Sequence, residues 1–177
     1  MDESPWPILE SDVEYETGWY DGGYDLVEQP DGSTKRYYWA DLPPAVVVVA
    51  ILDEAVVFIE QYRPTVRASC LELPAGIVED DESYAEAGRR ELAEETGYVA
   101  GSVETIQQVD VATGVLRHER GYTVATDLAE GPVDRDENEF LTVKTIPRRG
   151  AIDAARELPA NDATLQGLLL AREDGYL

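Results

Sequence analysis

The chain has 177 residues, of which 37 are Asp or Glu and 14 are Lys or Arg, so its formal net charge is −23 at pH 7. This length suits one domain, or one domain with a short N-terminal extension. Proteins that bind nucleic-acid polymers usually carry a basic surface, so the composition argues against a nucleic-acid partner. The single cysteine, Cys70, excludes an intrachain disulfide.

The acidic residues are spread along the chain, whereas Lys35 and Lys144 are the only lysines. A dispersed acidic surface with few lysines favours adaptation to high salt, where screening over about 3 Å at 1 M removes most of the self-repulsion. We therefore expect a halophilic source, with an acidic protein from a mesophile as the alternative. We find no signal-peptide pattern and no apolar run near the roughly 18 residues of a membrane span, which predicts a cytoplasmic protein without a membrane partner.

Short strands are predicted in the N-terminal part of the chain. Residues 1–12 are polar and are expected to be loose. The predicted strands that follow are Val13–Thr17, Tyr24–Gln29 and, after a turn signal at Pro30–Ser33, Thr34–Trp39. The sequence Leu42-Pro43-Pro44 marks a join. We therefore predict a small antiparallel β region over residues 1–43 and a main domain over residues 44–177.

The main domain alternates strands and helices. Ala45–Leu52 is a continuous apolar run, typical of a strand that is buried on both faces. The later predicted elements are strands at Ala55–Tyr62, Ser102–Val111, Tyr122–Leu128 and Phe140–Ile146, a short helix within 149–157, and a helix at Asp162–Arg172 capped by Asn161. This order predicts an α/β domain in which a mixed sheet has helices on both sides.

One helix, Tyr84–Thr96, has clear signals at both ends. Ser83 is the expected N-cap, and Glu86 completes a capping box three residues later. Gly97 follows as the residue that takes a left-handed conformation where the helix ends. The helix is therefore predicted to fill the space between these caps.

Three glutamates of this helix, Glu91, Glu94 and Glu95, are spaced i, i+3 and i+4, so their carboxylates share one face. Carboxylates packed together resist ionisation unless a cation compensates their charge. Hard divalent cations such as Mg²⁺ prefer oxygen ligands of this kind. Arg90, four residues before Glu94, is placed to orient or balance it. The spacing favours a metal site, with a solvated acidic helix as the alternative.

The same segment fits a longer pattern, G-x5-E-x7-R-E-U-x-E-E-x-G-U, where U is a bulky apolar residue. Its fixed positions are Gly76, Glu82, Arg90, Glu91, Leu92, Glu94, Glu95, Gly97 and Tyr98. This pattern is the Nudix box, and the chain resembles a Nudix hydrolase. The resemblance implies an α/β/α sandwich that cleaves a nucleoside diphosphate linked to another group, using Mg²⁺ or Mn²⁺.

Within this resemblance, Glu91 and Glu95 are the main metal ligands and Glu94 shares the metal, while the backbone carbonyl of Ala75 is a further ligand. We assign Glu94 and Glu95 as catalytic residues too. Glu82 is expected to support the loop or a metal-bound water. A carboxylate outside the box would position or deprotonate the attacking water. The candidates are Glu139 and Glu137, with Glu139 preferred because it precedes a strand and an ordinary acidic loop as the alternative.

Two flanking segments, Glu60–Pro64 and Glu72–Gly76, look like the ADP-ribose pyrophosphatase branch of the family. That branch commonly forms dimers through its N-terminal strands, so a homodimer is expected. One departure is the sequence Ala112-Thr113-Gly114, where many ADP-ribose enzymes carry a proline loop. The departure leaves open which nucleoside-diphosphate sugar is the substrate.

Arg63 is our candidate for phosphate binding, because a planar guanidinium suits bidentate contact with phosphate. The alternative for Arg63 is a structural ion pair. Trp39 or Tyr38 could supply an aromatic platform for adenine, with a core or dimer contact as the alternative for Trp39.

Two other functions are compatible with the sequence. One is a housecleaning hydrolase of nucleoside triphosphates or dinucleoside polyphosphates. The other is a non-catalytic Nudix sensor, although sensors of that kind usually carry a DNA-binding domain, for which we expect no room in this chain.

Overall fold

The computed structural model describes residues 5–131 and 140–177. Contacts between Cα atoms divide the chain into two compact units. The first unit combines the residues up to Pro44 with Asp110–Glu119, and the second combines Ala45–Val109 with Arg120–Leu177. The sequence predicts an N-terminal region of residues 1–43 only, whereas the first unit also contains Asp110–Glu119. This segment belongs to the first unit because its short strand pairs with an N-terminal strand.

The described residues contain these elements in chain order: β1 (Ile8–Glu16), β2 (Asp21–Glu28), β3 (Thr34–Asp41), β4 (Ala45–Leu52), β5 (Ala55–Arg63), β6 (Ala68–Glu72), β7 (Ala75–Ile77), α1 (Tyr84–Thr96), β8 (Tyr98–Asp110), β9 (Leu116–Arg117), β10 (Glu119–Glu130), β11 (Leu141–Pro147), α2 (Arg148–Ala155) and α3 (Asp162–Glu173). None of these helices is both long and apolar enough to cross a bilayer.

The first unit is built on a sheet with the strand order β1-β2-β3-β9. The pairs β1/β2 and β2/β3 are antiparallel, as the sequence predicts, and β9 runs parallel to β3. The expectation that residues 1–12 are loose is wrong for the segment from Ile8 onward, because Ile8 already pairs with Val27. All nine residues of β1 are exposed, so a polar sequence here does not distinguish an edge strand from a loop.

The second unit is built on a mixed sheet with the order β11-β5-β4-β10-β8, with β6 paired to β5 and β7 paired to β4. Strand β4 runs parallel to β10 and antiparallel to β5 and β7. Its side chains alternate between the two faces of the sheet. Val47, Val49 and Ile51 pack in a core cluster with residues of α2 and α3, whereas Val46, Val48 and Ala50 pack with residues of α1.

This arrangement confirms the predicted α/β/α sandwich with a mixed sheet and helices on both sides. It also explains the unbroken apolar sequence of β4, in which Val46 to Val49 are all buried. Complete burial of a valine side chain contributes roughly 1.5–3 kcal/mol. The central strand therefore supplies a large part of the stability of the second unit.

Helix α1 begins and ends as its sequence predicts. Ser83 accepts a hydrogen bond from the Glu86 backbone N–H, and the Glu86 side chain completes the capping box. Gly97 has φ 76°, and its N–H donates to the Ala93 carbonyl. A Cβ on Gly88 would lie 2.7 Å from Thr123 Oγ1, so glycine lets the helix approach β10. The caps therefore fix both ends of α1, and Gly88 allows the close approach of α1 to the sheet.

Candidate active site

The first contact of the candidate site joins α1 to β7. A Cβ built on Gly76 would lie 2.0 Å from the carboxyl carbon of Glu91 and nearly as close to both of its oxygens. The Glu91 carboxylate therefore occupies the space beside the Gly76 backbone, and Glu91 is only 9% exposed. A side chain at position 76 would therefore displace the Glu91 carboxylate from this place.

The second contact is made by Glu95, which is 4% exposed. Its Oε2 atom accepts a hydrogen bond of 3.0 Å from the Ala75 backbone N–H. The Ala75 peptide and the Glu95 carboxylate are thus direct neighbours, and β7 is fixed to α1 at two successive residues. Glu94 differs from both neighbours because its side chain is 40% exposed. The i, i+3, i+4 spacing therefore gives two buried carboxylates and one accessible carboxylate.

Arg90 connects the glutamates of the site. Its Nη1 donates to Glu91 (2.7 Å) and Glu94 (3.0 Å), and its Nε and Nη2 donate to Glu82. Nη2 also donates to the Ile77 carbonyl at 2.8 Å. The hydrogen bonds to Glu82 raise the pKa of Arg90, and those to Glu91 and Glu94 add to this effect against the opposing effect of burial. Arg90 therefore stays charged and holds three carboxylates near the end of β7.

Glu82 forms hydrogen bonds to the loop before α1 and to Arg90. It accepts from Arg90, and its Oε2 accepts from the Glu79 backbone N–H at 3.1 Å. The hydrogen bond from Arg90 lowers the pKa of Glu82 from its ordinary value of 4.5, although burial opposes this shift. The ionised form of Glu82 is thereby favoured.

The donor set at this site suits a hard divalent cation. Glu91, Glu94 and Glu95 supply carboxylate oxygens beside the Ala75 peptide, and Arg90 is bonded to both Glu91 and Glu94. Within residues 5–131 and 140–177, however, no three His, Cys, Asp or Glu side chains form a complete metal-ligand group. Mg²⁺ is usually held by one or two carboxylates together with water and substrate phosphates. An incomplete protein ligand set is therefore compatible with this metal.

Arg63 forms an ion pair with Glu72, the alternative that its sequence position leaves open. Its Nε and Nη2 atoms donate to the Glu72 carboxylate, with a shortest distance of 2.6 Å. Burial lowers the pKa of Arg63, but hydrogen bonds and charge from Glu72, together with the charge of Glu95, raise it overall. Arg63 therefore stays charged beside Glu72.

Trp39 belongs to the first unit, where three neighbours fix its ring. Its Nε1–H donates to Asp25 at 3.1 Å, and the guanidinium of Arg117 stacks 3.8 Å from the ring centroid. Arg117 also forms a salt bridge of 2.5 Å with Asp25. A Cβ on Gly23 would lie 2.8 Å from the edge of the indole. One face of Trp39 is therefore covered by Arg117 within the unit.

Glu137 and Glu139, the two candidates for positioning the attacking water, lie outside the residues that the structure describes. Sequence reasoning did not assign a role to Glu72, although it is 3% exposed and contacts Arg63. An acidic residue at the end of a short strand would have been the available signal, but nothing in the local pattern shows that it is buried.

Comparison with known proteins now identifies the family. The NUDIX domain model matches residues 41–167, which is well over half of the chain. The chain therefore belongs to the Nudix family, and it is an enzyme of the Nudix hydrolase type. Enzymes of this type generally use divalent metal cations, in agreement with the donor set on α1.

Individual relatives agree with this membership. The chain is 33% identical over 136 residues to a methanol dehydrogenase activator from Bacillus methanolicus, covering 75% of this chain and 74% of the relative. It is 29% identical over 140 residues to an ADP-ribose pyrophosphatase from Bacillus subtilis (strain 168), covering 77% and 76%. A crystal structure of an ADP compounds hydrolase superposes with a TM-score of 0.89 at 24% identity, covering 98% of each chain, and shows the shared fold.

Proposed function

We propose that this chain hydrolyses the pyrophosphate bond of ADP-ribose or a related ADP-sugar, releasing AMP and a sugar phosphate. The observation that carries the proposal is the contact of two buried carboxylates, Glu91 and Glu95, with the Gly76 and Ala75 backbone. The choice of substrate is supported by the similarity to an ADP-ribose pyrophosphatase. The geometry of the site supports the reaction class, and the similarity to this relative supports the choice of substrate.

The proposed cofactor is Mg²⁺ or Mn²⁺, held by Glu91, Glu94, Glu95 and the backbone carbonyl of Ala75. When bound, such a metal neutralises phosphate charge and generates hydroxide from water near neutral pH. The protein's part is to keep the carboxylates in place before substrate arrives. Arg90 does this for Glu91 and Glu94, and the Ala75 N–H does it for Glu95.

The remaining roles are also proposals. Arg63 binds the substrate phosphates with donors that Glu72 does not use. Trp39 provides the aromatic platform for adenine. Glu139, or else Glu137, positions or deprotonates the attacking water. A carboxylate in this role extracts the proton as the water attacks phosphorus, which is general-base catalysis.

A substrate panel tests the proposed function. Wild type and Glu95→Gln would be assayed in high salt with Mg²⁺ or Mn²⁺ against ADP-ribose, other ADP-sugars, NADH, diadenosine polyphosphates and nucleoside triphosphates. AMP and ribose 5-phosphate from ADP-ribose, lost in Glu95→Gln, would support the proposal. Turnover of triphosphates alone would replace it with a housecleaning function.

We further propose that the protein is a homodimer that uses the sheet of the first unit. Large apolar side chains are exposed along this part of the chain, among them Ile8, Leu9, Val13, Tyr15 and Trp19. Contiguous exposed apolar surface is typical of protein interfaces. Light scattering should give twice the chain mass for wild type and for Leu158→Asp, which changes an exposed leucine of the second unit, but one chain mass for Val13→Asp. A monomeric wild type would reject the dimer.

The acidic composition supports one more proposal, that the protein works in the cytoplasm of a halophile. The formal net charge of −23 and the presence of only two lysines are the observations behind it. Its experimental consequence is a requirement for high salt in stability and activity.

A further inference from the structure

We propose that Glu72 is a positioning residue, which holds the Arg63 guanidinium in place for the substrate phosphates and ties it to the first turn of α3. This inference rests on the proposed function, in which Arg63 binds the pyrophosphate. Glu72 itself would not touch the substrate, because its carboxylate is already occupied by protein donors.

The bonding of Glu72 is unusually complete for a buried carboxylate. Its Oε2 atom accepts from Arg63 Nη2 (2.6 Å), Arg63 Nε (3.1 Å) and Gln61 Nε2 (3.1 Å). Its Oε1 atom accepts from Asn161 Nδ2 (3.0 Å) and Arg63 Nε (3.2 Å). A buried charge is tolerated only when it is paired and hydrogen-bonded. Both oxygens meet this condition, so the Glu72 carboxylate is fixed in position and orientation.

Glu72 fixes the Arg63 guanidinium along the edge that carries Nε and Nη2. An arginine side chain carries five N–H donors in a rigid fork. The bonds to Glu72 use Nε and Nη2, and the Arg63 side chain remains 44% exposed. Glu72 lies three residues before Ala75, whose N–H donates to Glu95. Glu72 therefore fixes Arg63 beside the segment that contacts the proposed metal ligands, and it leaves the other donors of Arg63 available for a pyrophosphate.

Asn161 extends this connection to α3. Its Oδ1 atom caps the helix by accepting from the Thr164 N–H at 3.0 Å, while its Nδ2 donates to Glu72. The Thr164 hydroxyl accepts from the Leu73 N–H at 3.1 Å. Two successive residues, Glu72 and Leu73, are thus bonded to the first turn of α3. The helix start therefore sets the position of Glu72, and Glu72 sets the position of Arg63.

The Pro74-Ala75 peptide links this network to the glutamates of α1. The Pro74 carbonyl accepts from the Val48 N–H at 2.8 Å, and the Ala75 N–H donates to Glu95. The segment from Glu72 to Gly76 is consequently held at one end by Arg63 and Asn161 and at the other end by Glu91 and Glu95. This rigidity favours catalysis, because a misplacement of about 1 Å can cost about 10²-fold in rate.

The test is a double-mutant cycle of Glu72→Gln and Arg63→Ala, measured as kcat and KM for ADP-ribose, or for the best substrate of the panel. Glu72→Gln keeps the size of the side chain but removes its charge and turns an amide N–H₂ toward the donors of Arg63. We expect kcat/KM to fall about 10²-fold in each single variant and no further in the double variant. The matched control is Glu60→Gln, which breaks a half-exposed 2.7 Å ion pair with Lys144 on the neighbouring strand and should keep wild-type kcat/KM.

Loss of stability is separated from loss of positioning by a second variant. Asn161→Ser keeps a good N-cap residue for α3 but removes the donor to Glu72. We expect its Tm to stay near that of wild type while kcat/KM falls, and this fall should vanish when Arg63 is already alanine. Unchanged kcat/KM in Asn161→Ser would overturn the tie to α3.

The possible failures are distinguishable. If Arg63→Ala lowers kcat/KM but Glu72→Gln does not, or if the two losses multiply in the double variant, Glu72 does not act through Arg63. If Arg63→Ala has no effect, both the phosphate-binding role of Arg63 and the inference about Glu72 are wrong, while the hydrolase function stands. If wild type neither hydrolyses any panel compound nor binds ADP-ribose in EDTA, the proposed function itself has failed.

Discussion

The carboxylate of Glu91 lies against the backbone of Gly76 so closely that a Cβ at position 76 would be 2.0 Å from its carboxyl carbon. Gly76→Ala must therefore displace Glu91 or push β7 away from α1. We expect at least about a 10²-fold loss of kcat and a higher Mg²⁺ concentration for half-activation, measured by metal titration of the hydrolase reaction.

Gly150→Ala is the matched control for this prediction. Gly150 lies within α2, and a Cβ there would meet no described atom within 4 Å. Alanine favours a helix over glycine by about 1 kcal/mol, so this variant should keep full activity with an equal or higher Tm. Wild-type metal dependence in Gly76→Ala would contradict the role given to the Gly76–Glu91 contact.

Glu95→Gln should strongly reduce metal-dependent hydrolysis without unfolding the protein. A glutamine retains a carbonyl oxygen that can accept from the Ala75 N–H, so the contact with β7 survives. The lost negative charge weakens metal binding, and we expect kcat to fall about 10²–10³-fold, the scale seen when one preorganised electrostatic group is removed. Glu86→Gln, on the exposed capping box of the same helix, should leave kcat unchanged. Equal losses in both variants would indicate a general effect of charge on α1.

Glu82 gives the stability of the protein a predictable pH dependence. Arg90 lowers the pKa of Glu82 in the folded state below its ordinary 4.5. A carboxyl group whose pKa is lower in the folded state than in the unfolded state stabilises the protein at pH values above its unfolded-state pKa. This stabilisation is lost as the pH falls through the folded-state pKa. The free energy of unfolding of wild type should therefore exceed that of Glu82→Gln at neutral pH, and the difference should shrink well below pH 4.5. Urea denaturation of both proteins between neutral pH and pH values below 4.5 would measure this difference in the free energy of unfolding. A difference that grows on acidification would contradict the lowered pKa of Glu82.

Local sequence signals predicted the elements that carry the site. The helix α1 (Tyr84–Thr96) and the strand β4 (Ala45–Leu52) have the predicted bounds, because Ser83 and Gly97 stop the helix and an unbroken apolar run defines the strand. The sequence predicts a strand that begins at Val13, whereas β1 begins at Ile8. An edge strand with every residue exposed has no apolar alternation to indicate where it starts.

Helix periodicity predicts which side chains of α1 share a face, but it does not predict the contacts that these side chains make with other elements. The spacing of Glu91, Glu94 and Glu95 gave their common face, but it did not give their unequal burial, because burial depends on β7. The bond between Asn161 and Glu72 joins residues 89 positions apart. Such a contact is set by the packing of α3 against the sheet, so no local pattern could show that Asn161 bonds to Glu72.

Salt should stabilise this protein strongly. With a net charge of −23, repulsion among surface carboxylates opposes folding at low ionic strength. The screening length falls from about 10 Å at 0.1 M to about 3 Å at 1 M salt, so Tm and activity should rise steeply over this range and level off above it. Replacing the exposed Glu54 and Glu173 with lysine should reduce the dependence of Tm on NaCl concentration without affecting the core. Full stability and activity of wild type at about 0.1 M salt would show that the acidic surface is not an adaptation to high salt.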